Sequence, residues 1–317
     1  MLVVYDPNHR QHNPRYELYD GLKTAYPEVP DRIETIAAAL RQSEHTFVAP
    51  QRYNTSELLR LHTSGYQSYL RQQSARTPQG TDCYPSNFIH DTYAPITTKT
   101  YQAARAALGV ALTGADSLLE GHTAVYGLCR PPGHHAGDAY MGGYCYFNNA
   151  ALAADHLCNH GRVAVLDIDF HHGNGTQQLF YDRDDVLYVS VHADPRLNYP
   201  YTNGLETETG AGAGLGFTRN ITVPKGCGAQ AYLRALHQAL QAVSDFSPEY
   251  LVVSLGFDGH KDDPIAGFGL DIKDYRVISR RLANLRLPTL LIQEGGYNTE
   301  VLGELATTVA ASFGQVA

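Results

Sequence analysis

The sequence contains no tryptophan and only two methionines, and its five cysteines include no CxxC pair. An odd number of cysteines without such a pair favours neither a disulfide framework nor a zinc site built from thiolates. We therefore predict a protein of a reducing compartment and expect a cytoplasmic location. Without tryptophan, the 22 tyrosines are the main aromatic side chains with a polar group, available to line a tunnel or to form hydrogen bonds. Ordinary variation in composition explains their number equally well.

Long hydrophobic runs are absent as well. The apolar stretch at residues 2–5 is too short for the core of a signal peptide, and no later run is long enough to cross a membrane. The formal net charge of −8 argues against sequence-independent binding of nucleic acid and mildly favours a cationic substrate or partner. We expect neither a membrane nor nucleic acid among the partners.

No internal repeat, low-complexity tract or linker divides the chain, so we predict one domain over residues 1–317. Short apolar runs alternate with helical patterns, which indicates an α/β domain with a central parallel sheet flanked by helices. Strands are predicted at residues 2–5, 123–126, 163–168, 186–191, 250–255 and 289–292. A helix is predicted after Pro30, and further helices at residues 99–119, 148–159, 230–243 and 299–313.

Two segments interrupt this alternation. Residues 72–98 lack hydrophobic periodicity and are rich in Pro, Ser, Thr, Gln and Gly, so we predict a long loop near the mouth of a site. The glycine-rich residues 204–216 are expected to run over the surface near the same mouth. Long loops in compact domains are usually functional.

The most informative segment runs from residue 163 to residue 175, where an apolar strand ends in polar side chains. Aspartate is depleted in strands, so two aspartates at the end of a buried strand need a compensating partner such as a metal ion. Because side chains alternate along an extended chain, Asp167, Asp169 and His171 point to one side and can converge on a cation. Alternation turns His172 away, and we expect it to be packed or hydrogen-bonded. Open α/β sheets bind ligands beyond the carboxyl ends of their strands, where these side chains lie.

Three further polar clusters lie after predicted strands or in glycine-rich turns. His134 and His135 follow the second predicted strand in a loop rich in proline and glycine, and histidine is suited to proton transfer near neutral pH. Asp258 follows another buried strand, and Tyr297 follows a Gly-Gly turn from which its phenol can donate a hydrogen bond. Each cluster alone has an ordinary structural explanation, but their combination points to a site.

Asp169, His171 and Asp258 together form a set of nitrogen and oxygen ligands that leaves positions for water and a substrate carbonyl, as in catalytic zinc sites. Iron(II) also suits these ligands. The implied chemistry is metal-assisted hydrolysis, in which a histidine removes a proton from water and later protonates the leaving amine. A phenol facing the metal would stabilise the oxyanion.

Five segments, in this order along the chain, resemble the histone deacetylase and acetylpolyamine amidohydrolase superfamily, and bacterial acetylpolyamine amidohydrolases most of all. The segments are residues 130–137 (RPPGHHAG), 142–149 (GGYCYFNN), 167–177 (DIDFHHGNGTQ), 254–258 (SLGFD) and 294–297 (EGGY). The resemblance covers essentially the whole chain. It implies an arginase/deacetylase-like fold and the hydrolysis of N-acetylated amines with one Zn²⁺ per chain.

The resemblance also implies a role for each matching position. Zinc would be bound by Asp169, His171 and Asp258, with His135 as general base and acid, His134 as electrostatic support and Tyr297 polarising the acetyl carbonyl. Asp167 would hold His134, and Asn174 would hold His135. Because an amide carries no charge, His135 should have a lower proton affinity than with an aspartate partner. Structural K⁺ or Na⁺ ions would bind at Asp167, Asp169, His171, Ser190 and Val191, and at a second, mainly backbone site near Phe180, Arg183 and Val186.

The substrate is expected to be a small cationic acetylated amine. Residues 15–19 and 192–195 look more like acetylpolyamine amidohydrolases than like eukaryotic histone deacetylases. Tyr144 and Tyr199 match the aromatic positions that enclose an aliphatic chain in the family's tunnel, and Glu17 near the mouth would attract a distal ammonium. Acetylputrescine or acetylcadaverine is the first choice, and acetyl-lysine on protein the second. The predicted substrate-binding residues are Gly143, Tyr144, Tyr199, Glu17 and Tyr19.

The sequence also departs from the family pattern. The loop at residues 72–98 is much shorter than the dimerising insertion of typical acetylpolyamine amidohydrolases and has only Asp82 and Asp91 as acids, which weakens the argument for a homodimer without excluding one. Ile265 stands where spermidine-selective deacetylases have a gatekeeper glutamate. We expect Asp262 and Asp263 to form a solvated turn with the following proline.

Two alternative functions stay open at this point. A non-catalytic homologue would bind an acetylated ligand or a partner protein, but we would expect it to lose Tyr297, a paired histidine or a metal ligand, and all are present. A binuclear manganese ureohydrolase shares the fold, but it would need additional bridging carboxylates.

Overall fold

A mixed α/β architecture surrounds one parallel sheet in the computed structural model, which describes residues 1–43 and 45–314. Within these residues the strands are β1 (Leu2–Val4), β2 (Tyr16–Tyr19), β3 (Leu22–Ala25), β4 (Thr46–Val48), β5 (Ala124–Gly127), β6 (Val163–Asp167), β7 (Val186–Ala193), β8 (Thr218–Val223), β9 (Tyr250–Leu255) and β10 (Thr289–Gln293). The large sheet has the order β4-β1-β5-β10-β9-β6-β7-β8, and all its pairs are parallel. β2 and β3 form a separate antiparallel hairpin.

Helices cover both faces of the sheet. In the described residues they are α1 (Asp31–Gln42), α2 (Thr55–Leu59), α3 (Ser64–Arg76), α4 (Thr100–Leu119), α5 (Asn149–Leu157), α6 (Asn174–Phe180), α7 (Gly228–Phe246), α8 (Ile272–Ala283) and α9 (Thr299–Phe313). One core packs α1, α7, α8 and α9 against the sheet, and a second packs α4 and α5 against the other face. The central strands are buried on both faces, which explains their nearly continuous apolar sequences.

The strand order places four chain segments at one edge of the sheet. β5, β10, β9 and β6 are neighbours, and because they are parallel their carboxyl ends lie side by side. The polar segments that follow these strands therefore meet, although contacting residues such as Gly133 and Glu294 are 161 residues apart in the chain. The fold thus brings together the four clusters predicted from the sequence.

The predicted fold class is confirmed, and the six predicted strands are all present with ends that differ by up to two residues. The predicted loop at 72–98 is wrong at its start, because residues 72–76 form the last turns of α3. This helix has a polar sequence, and its buried Ser74 hydroxyl donates to the carbonyls of Thr97 and Thr98, so tertiary contacts stabilise it. None of the helices in residues 1–43 and 45–314 is long and apolar enough to cross a bilayer.

Candidate active site

Two buried carboxylates and an imidazole converge beyond the ends of β6 and β9. The donor atoms of Asp169, His171 and Asp258 all lie within 4.8 Å of one another. Backbone amides fix both carboxylates: Asp169 Oδ2 accepts from Gly295 N at 2.8 Å, and Asp258 Oδ1 accepts from Phe170 N at 2.9 Å. His171 Nδ1 lies 2.9 Å from Asp258 Oδ2 and 3.4 Å from Asp169 Oδ1.

The electrostatics of this group favour a bound cation. Burial and the neighbouring charge of Asp169 raise the pKa of Asp258 to about 7. Burial alone would lower the pKa of His171, but hydrogen bonds to the two carboxylates raise it to about 9. Two carboxylates so close together in a buried site repel each other, and a positive charge between them removes that repulsion.

The paired histidines follow β5 and face the same group. His134 Nδ1 lies 3.1 Å from Asp167 Oδ2, and His135 Nδ1 lies 2.7 Å from Asn174 Oδ1. Burial would lower the pKa of His134, but the charges of Asp167 and Asp169 raise it to about 10. Burial and the charges of His134 and His171 lower the pKa of His135 well below its usual value. The pKa values of the two neighbours are therefore shifted in opposite directions, upward for His134 and downward for His135.

Two residues without an assigned role in the sequence analysis hold the histidine loop. The buried Glu294 accepts hydrogen bonds from Gly133 N at 2.7 Å and His134 N at 3.2 Å. The buried ring of His62 uses both nitrogens: Nδ1 donates to Gly137 O at 2.8 Å, and Nε2 accepts from Asn148 N at 3.0 Å. Glu294 belongs to a recognised segment, whereas nothing around His62 in the sequence signals its contacts.

The turn after β10 presents Tyr297 to the cavity. Gly296 has a φ of 109°, a left-handed conformation that glycine adopts without strain. Tyr297 N donates to Asp263 Oδ2 at 2.7 Å, and the Arg32 guanidinium lies 4.7 Å from the centroid of the phenol ring. The prediction of a solvated turn is therefore wrong for Asp263, whose carboxylate also accepts from Ile265 N at 2.9 Å. It holds for Asp262, which is exposed.

A cavity of about 540 Å³ opens from this group to the surface. All five predicted substrate-binding residues line it, together with His135, His171 and Tyr297. Glu17 is buried and accepts from Thr24 Oγ1 at 3.3 Å, and burial raises the pKa of its carboxyl. Tyr19 is half exposed and its ring stacks on that of Tyr93. A depression of about 650 Å³ between β8 and α7 contains none of the predicted site residues, so it lies away from the chemistry.

The residues predicted to hold monovalent cations are placed as follows. Asp167 and Ser190 are register partners on β6 and β7, and Ser190 Oγ lies 2.8 Å from His192 Nδ1. Arg183 forms ion pairs with Asp155 and Asp185, near the buried Phe180 and Val186. His172 is buried with Nε2 3.1 Å from Gln177 Oε1, as expected for a packed histidine. Both cation sites stay predictions.

The sequence model of the histone deacetylase domain matches residues 26–313. The chain belongs to the histone deacetylase family. This deacetylase is 41% identical to acetylpolyamine amidohydrolase 1 of Pseudomonas aeruginosa over 99% of both chains. It is 37% identical to the acetylpolyamine amidohydrolase of Mycoplana ramosa over 96% of both. The crystal structure of acetylpolyamine aminohydrolase from Burkholderia pseudomallei matches it with a TM-score of 0.95 at 35% identity, over 100% of this chain and 99% of that one.

These matches confirm the family resemblance drawn from the five segments and the predicted fold. Because the similarity extends over full-length relatives, the deacetylase is an enzyme that hydrolyses amide bonds.

Proposed function

We propose that this enzyme uses zinc to hydrolyse N-acetylated diamines of the acetylputrescine and acetylcadaverine type, releasing acetate and the free amine. The observation that carries the proposal is the convergence of Asp169, His171 and Asp258, because His171 lines the same cavity as His135 and Tyr297. The relatives named as acetylpolyamine amidohydrolases, 36% to 41% identical over nearly the whole chain, support the substrate class.

The residues present fit a zinc ion. Two carboxylates and one imidazole form a mixed oxygen and nitrogen set typical of catalytic zinc sites, and the burial of Asp169 and Asp258 makes two neighbouring negative charges unfavourable without a cation. Asp169, His171 and Asp258 would hold the ion. When bound, it would act as a Lewis acid on the acetyl carbonyl and on the attacking water.

The protein side chains would carry out the proton transfers. His135 is neutral, and because its Nδ1 is bonded to Asn174, its Nε2 is the nitrogen that takes a proton from water and returns it to the leaving amine. The cationic His134 would stabilise negative charge that develops nearby. Burial raises the pKa of Tyr297, so its phenol keeps its proton and donates a hydrogen bond to the oxyanion.

The cavity walls would select the rest of the substrate. Tyr144 and Tyr199 offer aromatic surface for a methylene chain, and Glu17 lies on the same cavity to attract the distal ammonium. We also propose structural K⁺ or Na⁺ at the predicted positions around Ser190 and Arg183.

Metal analysis and steady-state kinetics test the proposal. We expect one zinc per chain, and we expect kcat/KM to be highest for acetylputrescine among acetylputrescine, acetylspermidine and an acetyl-lysine peptide. Chelation should abolish hydrolysis, and added Zn²⁺ should restore it. Protein without zinc and without activity on any acetylamine refutes the proposal. A clear preference for the peptide refutes the substrate order, and two manganese ions per chain would favour the ureohydrolase reading.

A further inference from the structure

Asp91, one of the two acids in the shortened loop, has no role in the mechanism above, yet its carboxylate is bonded to the wall of the cavity. Its Oδ1 accepts from Tyr93 N at 2.6 Å. Its Oδ2 accepts from Gly143 N at 2.9 Å and from the Tyr199 hydroxyl at 2.5 Å. One side chain thus joins its own loop, the turn at Gly142 and Gly143 and the segment that follows β7.

Both partners on Oδ2 line the cavity and touch His135. The rings of Tyr199 and His135 are perpendicular, with centroids 4.7 Å apart. A Cβ added at Gly143 would lie 2.3 Å from His135 Cδ2, so the turn packs directly on the imidazole. A Cβ added at Gly142 would lie 2.5 Å from Asp91 Oδ2, so the carboxylate packs directly on the turn.

The turn itself requires support. Gly143 has a φ of 49° and Tyr144 a φ of 68°. The left-handed conformation is uncommon for a bulky residue and persists only where the surroundings hold it. The hydrogen bond from Gly143 N to Asp91 is one such contact, and Tyr144 carries the aromatic ring that lines the cavity with Tyr199.

We propose that Asp91 is a positioning residue that sets the width of the substrate tunnel by holding the Tyr199 hydroxyl and the Gly143 amide, so that only an unbranched methylene chain passes beside His135. The inference rests on the proposed deacetylase function and adds the feature that selects linear chains. Asp91 would act on the tunnel through the hydroxyl of Tyr199, to which it is bonded. Tyr199→Phe would remove this hydroxyl and leave the ring in place.

A carboxylate suits this position better than an amide. Three donors, two N–H groups and one phenol, point at the side chain, and an ionised carboxylate offers acceptors only. Asparagine has nearly the same shape, but its NH₂ group would face one of these donors. Asp91→Asn therefore loosens the wall with little change in volume, which makes it a sharper test than truncation.

The test compares two acetamides that differ only in width: acetylputrescine and its analogue with a methyl branch next to the amide nitrogen. We expect Asp91→Asn and Tyr199→Phe each to reduce the wild-type preference for the linear substrate in kcat/KM about tenfold. The double variant should lose no more than Asp91→Asn alone, because the Tyr199 hydroxyl is bonded to Asp91 itself. Asp82→Asn is the matched control, since Asp82 lies in the same loop but accepts from Arg15 N, and its preference should equal the wild-type value.

The outcomes separate the inference from the proposed function. Wild-type protein that hydrolyses neither substrate overturns both. Active wild-type protein with an unchanged preference in Asp91→Asn and Tyr199→Phe overturns the inference alone, as does an equal loss of activity on both substrates, which a merely structural role would produce. If Asp91→Asn fails to fold, Tyr199→Phe decides the matter by itself.

Discussion

The floor and the mouth of the cavity differ in how they are built. The floor consists of His171, His135 and Tyr297, which line the cavity, and of Asp169 and Asp258 beside His171. Each of these residues directly follows a sheet strand or lies in the loop after it. The mouth consists of Glu17, Tyr19, Leu197, Tyr201 and Lys225, which come from the β2–β3 hairpin and from surface segments. Most floor side chains are buried, whereas Leu197 is 78% exposed and Tyr201 61% exposed.

This difference separates the reaction from the choice of substrate. In the floor, backbone amides and side-chain partners such as Asn174 and Asp263 fix the proposed reacting groups, so they are held in place before the substrate arrives. Leu197 and Tyr201 at the mouth are exposed, so we expect changes there to alter which amine binds without altering the hydrolysis. Substitutions in the floor should therefore affect kcat, and substitutions in the mouth should affect KM.

The largest effect is expected for Tyr297→Phe in the floor. Removing one hydrogen-bond donor to a developing oxyanion lowers kcat by about 100- to 1,000-fold. Zinc content should not change, because the phenol is not a proposed ligand. Steady-state kinetics and metal analysis of the same preparation check both points. Tyr101→Phe, in α4 and packed on Phe147, is the control that should keep full activity. An unaffected rate in Tyr297→Phe would exclude its proposed role.

A pH-dependent stability effect is expected from His62, which is bonded to the backbone of Gly137 and Asn148. Burial lowers the pKa of His62 to about 4, so the folded protein keeps this ring neutral while the unfolded chain takes up a proton below about pH 6.5. Its contribution to stability is therefore lost as the pH falls, by about 2 kcal/mol between pH 7 and pH 5. His62→Gln should lack this loss.

Urea unfolding of both proteins at the two pH values measures the difference, because other titrating groups cancel. His122→Gln, at an exposed histidine, should behave as wild type. If wild type and His62→Gln lose the same free energy of unfolding on acidification, the neutral state of His62 is wrong.

A change in the pH profile is expected for Asn174→Asp. The present amide accepts from His135 Nδ1 without adding charge, and a carboxylate there would favour the protonated ring. The acidic limb of the kcat/KM profile should therefore move up by about one pH unit. A profile that stays in place or moves down would show that His135 is not the base that titrates.

The floor could be predicted from the sequence because its signals are local. Polar residues directly after apolar strands mark Asp169 and Asp258, and short motifs mark the histidines and Tyr297. The supporting residues have no such mark, since their roles arise from contacts across the chain: Asp263 lies 34 residues from its partner Tyr297, and Asp91 lies 108 residues from Tyr199. An aspartate before a proline looks like an exposed turn until the opposing amide is known.

The same reasoning explains the elements that were not predicted. β4 and β8 are the two edge strands of the large sheet, and β8 mixes buried and exposed residues instead of showing a continuous apolar run. α3 is a polar helix stabilised by its buried contacts. Elements at the periphery of the fold therefore have weaker sequence patterns than the central strands that carry the floor.

The smallest effect is expected at the mouth, for Glu17→Gln. Loss of one carboxylate on the cavity wall removes attraction for a distal ammonium, so KM for acetylputrescine should rise about fivefold while kcat changes little. N-butylacetamide, which has the same chain length without the ammonium, should bind both proteins equally.

Because burial raises the pKa of Glu17, the wild-type preference for the charged substrate should fade as the pH is lowered. Glu304→Gln, on the exposed side of α9, should match wild type throughout. A fall in kcat without a change in KM would show that Glu17 acts in the reaction, as the floor residues do. It would contradict the prediction that mouth residues affect only the choice of substrate.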